Sequence, residues 1–359
     1  GQVESDELVV NFSSSETFYS DKRPFFSENH SLFDVKGMSF FYIVNTRRIG
    51  GAPDYDCSKY TPSVAEFCNE SKVGINDIDY AIRYTLQNES FDLGFLGSSE
   101  TDEEFSQGRD FYSFRVRKNF KDLNIGYLGT RTDRPVLDRN ADVHSFDFTY
   151  VPNDKTRIDT IYAFSEISQK NFLEKKGEIF RFKYVNSPSS RTYYDVFINF
   201  FDEASDINDM GYQRTDDYFF MGAKRGFKTS QFDEYSIFNF NQTEFAIGRE
   251  ANADFNKASD FLYLTNKASF KNSSSLENVI FFRPSSKDYW ITRGNPKYWY
   301  VKKPENYGAE IKFSGPSGDF FNYYLEYKKQ KGQRFNGTAL GLSDVYTALL
   351  DFAPRDNLN

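Results

Sequence analysis

Seven tight polar turns, at residues 88–90, 119–122, 152–155, 187–190, 227–230, 271–274 and 315–318, alternate with longer connections at 98–108, 131–143, 165–176, 202–216, 283–306 and 329–343. An antiparallel meander with its short turns at one end and its long loops at the other is the pattern of an outer-membrane β-barrel. The expected fold is therefore all-β, an antiparallel transmembrane β-barrel of about 14–16 strands. Short turns would face the periplasm and long loops the outside. Strands are expected near 8–18, 37–45, 77–87, 91–98, 109–118, 123–131, 144–151, 156–165, 177–186, 191–201, 216–226, 231–248, 258–270, 276–283, 307–314, 319–328 and 344–352.

Successive side chains of a strand face opposite sides, so each run can be read for two faces. Tyr80, Ile82, Tyr84 and Leu86 make one face apolar, while Ala81, Arg83 and Thr85 make the other small or polar. The same division recurs downstream and places Arg83, Arg115, Arg117, Asp147, Arg181, Lys183, Asp195 and Glu326 on the polar side. A soluble sandwich shows such alternation with its polar face in water. Here the apolar faces are heavily aromatic, which favours an apolar face toward lipid and a charged face lining a lumen.

Composition supports that choice. Aromatic residues make up 19% of the 359, with 40 Phe and 25 Tyr, yet mean hydropathy is −0.66. A soluble core draws first on Leu, Val and Ile. The chain contains no apolar run long enough for a transmembrane helix, but a barrel strand needs only about 9–11 residues. Net charge is −8 without a basic stripe, which argues against nucleic acid as a partner. The acids gather in the long connections, among them Glu100, Asp102, Glu103, Glu104, Asp202, Glu203, Asp206 and Asp209. They read as solvated loops or, more sharply, as divalent-cation ligands at a lipopolysaccharide surface. The 133–142 stretch lacks the spacing of a defined calcium loop.

Cys57 and Cys68 are the two cysteines. They lie in one outer loop, so a local disulfide in an oxidising compartment is expected. A Cys pair without a nearby His is a poor zinc site, and no metal or cofactor is expected. The histidines are His30 and His144, without a zinc-protease, nucleophile-elbow or phosphate-loop motif. Catalysis is not expected; a barrel-embedded hydrolase using His144 beside Ser145 is the least favoured reading.

Three groups are candidates for ligand contact. Arg23, Phe25 and Phe26 belong to a polar and aromatic stretch, 22–30, that either lines a substrate path or packs as a turn. Arg47 and Arg48 either bind an anion with their planar forks or pair with lumen acids. Trp290 and Trp299 sit with Tyr289, Tyr298 and Tyr300 in the 283–306 connection, as an interfacial girdle or as sugar-stacking platforms.

Gly1-Gln2-Val3-Glu4-Ser5-Asp6, then Glu16-Thr17-Phe18-Tyr19-Ser20-Asp21-Lys22-Arg23-Pro24-Phe25-Phe26, then Phe41-Tyr42 with Thr46-Arg47-Arg48-Ile49-Gly50-Gly51-Ala52-Pro53 occur in order. Together with 206–216 they resemble a widespread family of uncharacterised outer-membrane barrels that often carry an N-terminal carbohydrate-binding family-9-like module. Ser27-Glu28-Asn29 departs from that family's pattern, and so does the Cys57–Cys68 insert. The resemblance implies a module and strands before Gly1 and a missing C-terminal portion. The turn-like 353–356 stretch likewise calls for a further strand, so 1–359 is expected to be one barrel domain incomplete at both ends.

The expected function is porin-like passage or capture of a solute in the outer membrane of a Gram-negative bacterium. Carbohydrate is the solute that the resemblance implies. The alternative is a plugged barrel that anchors a partner in an outer-membrane complex. Lipid bilayer and lipopolysaccharide are the expected surroundings in either case.

Overall fold

Asparagine side chains close three of the tight turns. Asn88 Oδ1 accepts the amides of Ser90 and Phe91 at 3.0 and 2.9 Å. Asn153 Oδ1 accepts the Lys155 amide at 2.9 Å, and Asn272 Oδ1 that of Ser274 at 3.1 Å. A carboxamide that stands in for a backbone carbonyl reverses the chain within a few residues.

The structure is a computed structural model that describes residues 21–35, 41–288, 301–315, 321–333 and 340–352. Its helical pieces are short: α1 (Pro24–Ser27) and α2 (Pro62–Glu70), with the two-residue strand β1 (Phe41–Tyr42) between them. Strands follow: β2 (Ile78–Gln87), β3 (Phe91–Glu100), β4 (Asp110–Asn119), β5 (Leu123–Arg134), β6 (Arg139–Asn153), β7 (Thr156–Gln169), β8 (Lys175–Ser189) and β9 (Thr192–Phe201). After the short β10 (Tyr212–Gln213) come β11 (Tyr218–Thr229), β12 (Phe238–Ala251), β13 (Lys257–Phe270) and β14 (Ser275–Arg283). The small hairpin β15 (Ser286–Asp288) and β16 (Val301–Lys303) precedes β17 (Asn306–Ser314), β18 (Phe321–Gln333) and β19 (Leu340–Phe352).

Fifteen of these strands form one large sheet, hydrogen-bonded in chain order from β2 to β19 without β10, β15 and β16. The ladders are antiparallel, as in Gln87↔Asp92 and Ser275↔Ser314. Among the described residues β2 and β19 are not paired with each other, so the sheet is open there.

Several expected boundaries move. Of the expected 37–45 strand, Phe41–Tyr42 is strand and pairs with Tyr212–Gln213 rather than with the large sheet, 43–45 is not, and 37–40 lies outside the described residues. The 131–143 connection is mostly ladder, since β5 and β6 stay paired out to Arg134↔Arg139 around one 3-10 turn. Asp138 takes the left-handed conformation there, φ 47°, which Asp tolerates. The turn expected at 227–230 is also ladder, up to Thr229↔Asn241, and β12 begins at Phe238 rather than at 231. The expected 8–18 strand and the 316–318 part of the last tight turn lie outside the described residues.

The chain divides into two compact units: Gly1–Pro152 with Ile158–Phe182 and Asn199–Tyr218, and Asn153–Arg157 with Lys183–Ile198 and Phe219–Asn359. In the first, one sheet face is exposed and apolar, with Tyr80, Ile82, Tyr84, Phe95, Phe114 and Phe146. The opposite face is covered. Leu96, Phe111, Leu128, Val143, Ile161 and Ile179 pack there against Phe26, Leu32, Phe33, Ile43, Val44 and Ile49 from the N-terminal segment. The covered face is thus not uniformly charged, as the alternation implied. Its middle is apolar, and ion pairs lie toward the tight turns, where Arg117 meets Asp92, and at the long-connection end, where Arg109 meets Glu100.

In the second unit Met221, Ile247, Leu264, Ile280, Phe282 and Ile311 are exposed on one face. The other carries a rung of alternating charge. Register places Gln242 opposite Lys267, Lys267 opposite Glu277, Glu277 opposite Lys312, and Lys312 opposite Glu326. Opposite charges directly across a ladder stabilise the pairing, and Lys267 and Glu277 meet at 3.2 Å.

Candidate functional site: the segment docked on the covered face

Residues 21–35 and 41–51 lie across the covered face of the first unit. Arg23, just before α1, ties the segment to itself. Its Nη1 donates to the Ile49 carbonyl at 2.9 Å and its Nη2 to the Thr46 carbonyl at 2.7 Å. It also pairs with Asp21 and lies over the Phe26 ring at 4.2 Å. Its carboxylate partner is therefore local and not on a strand of the large sheet. Phe26 is buried, and exposed Phe25 meets its ring edge-on at 5.0 Å.

The segment reaches the sheet at three places. On β2, Arg83 donates to the carbonyls of Phe25 and Glu28 and pairs with the Glu28 carboxylate at 2.6 Å. On β3, Gly94 provides the depth: a Cβ there would stand 2.7 Å from Leu32 and 2.9 Å from Phe33. At the β3–β4 end, Glu100 accepts Arg109 Nε at 2.7 Å and the Gly50 amide at 2.7 Å. Gly50 sits at φ 75°, a conformation that favours glycine. Arg48 adds a bond from its Nε to the Gly211 carbonyl at 3.1 Å. Arg47 shares its 3-10 turn, Thr46–Arg48.

An ionic network holds the flanking loops. Arg134 binds Asp54 and Asp209, and Arg139 binds Asp209 and Asp206. Burial pushes the Asp209 carboxyl up, but bonds from Arg139 and Arg134 outweigh it and hold the group below the usual carboxylate range. Glu100 and Asp209 are both buried. The loop acids are thus not uniformly solvated, as their positions implied, although Asp102, Glu103 and Glu104 are exposed.

Between α1 and the 42–46 stretch lies a cavity of about 310 Å³ lined by Asp21, His30, Asp34, Tyr42, Asn45 and Thr46, among others. Burial raises the Asp21 carboxyl, but bonds from Arg23 and Thr46 bring it below its ordinary value. Burial lowers the His30 imidazole despite the opposing charges of Asp34 and Asp21. Neither the cavity nor the Glu100 clamp is visible in the alternation; both need the segment in place.

Of the eight residues of the polar strand faces, four pair with one another, Arg115 with Asp147 and Lys183 with Asp195. Arg115 and Asp147 meet, with Nη2–Oδ2 at 3.0 Å, and Arg115 is only 1% exposed. Arg117 binds Asp92 at 2.7 Å. Arg83 serves the docked segment, and Arg181 is buried in the first unit. In the second unit Lys183 and Asp195 are 3.9 Å apart, and Glu326 accepts the Tyr324 hydroxyl at 3.0 Å. Trp290 and Trp299 lie outside the described residues. Cys57 and Cys68 form a disulfide. It pins the 3-10 turn at Cys57–Lys59 to the last turns of α2.

His144 and Ser145 are not brought together. As neighbours on β6 they face opposite sides. His144 Nδ1 shares a hydrogen bond with the Tyr127 hydroxyl at 2.7 Å, while Ser145 is fully buried on the covered face. Among the described residues no group of three or more His, Cys, Asp and Glu is arranged to hold a metal ion.

A family model described as a domain of unknown function, DUF5916, matches residues 1–79. That span contains the docked segment, α2 and the first residues of β2. No curated protein matches the chain.

Proposed function

We propose that this chain belongs to an outer-membrane β-barrel whose 21–51 segment is a plug, and that the barrel captures or admits a solute only when the plug yields. One observation carries the reading: in the first unit one sheet face exposes apolar side chains while the other buries charged ones. Tyr80, Ile82 and Tyr84 are each more than half exposed, while Asp92, Glu100 and Arg115 are at most 3% exposed. Water does not favour that arrangement and a bilayer does. The core under the segment supports a plug over a standing pore, since Leu32 and Phe33 close directly on Gly94. The large sheet supplies strands enough for a barrel, and its long connections would lie toward the lipopolysaccharide leaflet.

The experiment is planar-bilayer conductance of the full-length protein, with gel migration of heated and unheated samples as the fold control. The plugged reading expects heat-dependent migration and a closed baseline. It also expects openings in Arg83→Ala, which loses the bonds to Phe25 and Glu28. A large steady conductance in the unaltered protein would favour plain porin-like passage instead. Heat-indifferent, soluble protein would remove the membrane reading altogether.

A further inference from the structure

The cavity in the docked segment is lined by two carboxylates and by no lysine or arginine. Asp21 is already engaged by Arg23 and by the Thr46 hydroxyl at 2.8 Å. The Asp34 carboxylate, the His30 ring nitrogens and the Asn45 amide have no hydrogen-bond partner among the described residues. Asn45 is 8% exposed, so its amide meets little besides the cavity. An ionised carboxylate accepts only, and a neutral imidazole keeps one accepting nitrogen. No Lys or Arg is among the lining residues, because the Arg23 guanidinium is turned onto Asp21 and the backbone at 46 and 49.

We infer that this cavity binds a small hydroxylated amine in its protonated form. The ammonium donates to Asp34 as a charge-assisted hydrogen bond, the strong kind. Hydroxyls meet Asn45 and His30. The volume, about 310 Å³, suits one compact ligand. An anion finds no cation to meet it. The inference deepens the plug reading by placing a ligand on the plug, yet binding itself requires neither a membrane nor a closed barrel.

The test is isothermal titration of the detergent-solubilised full-length protein with glucosamine, glucose and inorganic phosphate at neutral pH. Glucosamine is expected to bind about tenfold or more tightly than glucose, and phosphate not at all. Asp34→Asn, which keeps shape and removes charge, should weaken glucosamine about tenfold and bring it level with glucose. Asn45→Ala should weaken both sugars alike. Heat-dependent gel migration confirms that each variant is folded. No heat from glucosamine, equal affinity for phosphate, or an Asp34→Asn variant that binds as well as the parent overturns the inference. Conductance separates the two ideas: glucosamine binding with a steadily open pore keeps the ligand and discards the plug.

Discussion

Arg109 grips Glu100 with two nitrogens, Nε to Oε2 at 2.7 Å and Nη2 to Oε1 at 2.9 Å, and the same carboxylate receives the Gly50 amide. A guanidinium fork on a carboxylate fixes orientation as well as charge. Through it, the turn at 48–51 is bound to the ends of β3 and β4. Removing the charge leaves Arg109 buried without its partner, at a cost of about 2–4 kcal/mol. Glu100→Gln should therefore free the 45–56 stretch. Limited proteolysis reads this directly: new cleavage there is expected while the strands stay protected, and an unchanged pattern would mean that the turn is held by something else.

Gly94 makes a sharper demand on the same docking. Adding a methyl group sets Cβ against Leu32 and Phe33, and overpacking of this kind costs about 1–3 kcal/mol. Gly94→Ala should loosen the segment, and Gly94→Leu should displace it without touching the apolar exposed face. Bilayer conductance should then rise in proportion to side-chain size. If both variants stay as closed as the parent, the segment does not close a pore.

The exposed faces were legible because a period of two needs no tertiary knowledge: Tyr80 to Leu86 reads correctly residue by residue. The strand ends were not, because ladder pairing carried β5 and β6 through acidic residues that look like loop. Phe111 shows the other failure. It shares the covered face with Ser113 and Arg115, but an apolar residue beside a charged alternation carries no local sign of what will cover it. Glu100 and Asp209 were read as solvated because their arginine partners lie 9 and 70–75 residues away in sequence. The disulfide was legible from the two cysteines. The cavity was not, since its walls come from separate parts of the segment.

Acidification should undo the docking in two stages. His30 is held below its ordinary value of 6.5, so the unfolded segment binds that proton first. Stability falls as pH drops from about 6.5 toward the depressed folded value, and is flat above about 6.5. Asp21 and Asp209 lie below their ordinary 3.8, so their contribution is present above that value and is lost as pH falls below it. Hydrogen exchange of 21–51 against pH should show both stages, and His30→Gln should abolish the first only.

Reduction of Cys57–Cys68 should act locally. The bridge joins residues 11 apart in sequence, worth about 3 kcal/mol in loop entropy. Faster hydrogen exchange across 57–70 is expected in Cys57→Ser/Cys68→Ser, with the ladder of β3 and β4 unaltered. Exchange that accelerates throughout the sheet would show that the bridge supports the fold and not merely its loop.

Arg115 and Asp147 test whether the covered face is built on charge or merely tolerates it. Register sets Arg115 opposite Leu128, Leu128 opposite Ser145, and Gly126 opposite Asp147, so the two side chains meet over Gly126. A Cβ at 126 would stand 2.5 Å from both Arg115 Nη1 and Asp147 Oδ1, so a larger residue there would have to shift the pair. Asp147→Ala leaves a buried guanidinium uncompensated and should cost about 3–5 kcal/mol. Arg115→Met with Asp147→Leu removes both charges and should recover most of that loss, since apolar replacement of a buried pair is often neutral. A double-mutant cycle by urea unfolding in detergent measures the difference. Recovery would assign the pair to specificity of register. A double variant as unstable as the single would instead make the ion pair a net source of stability.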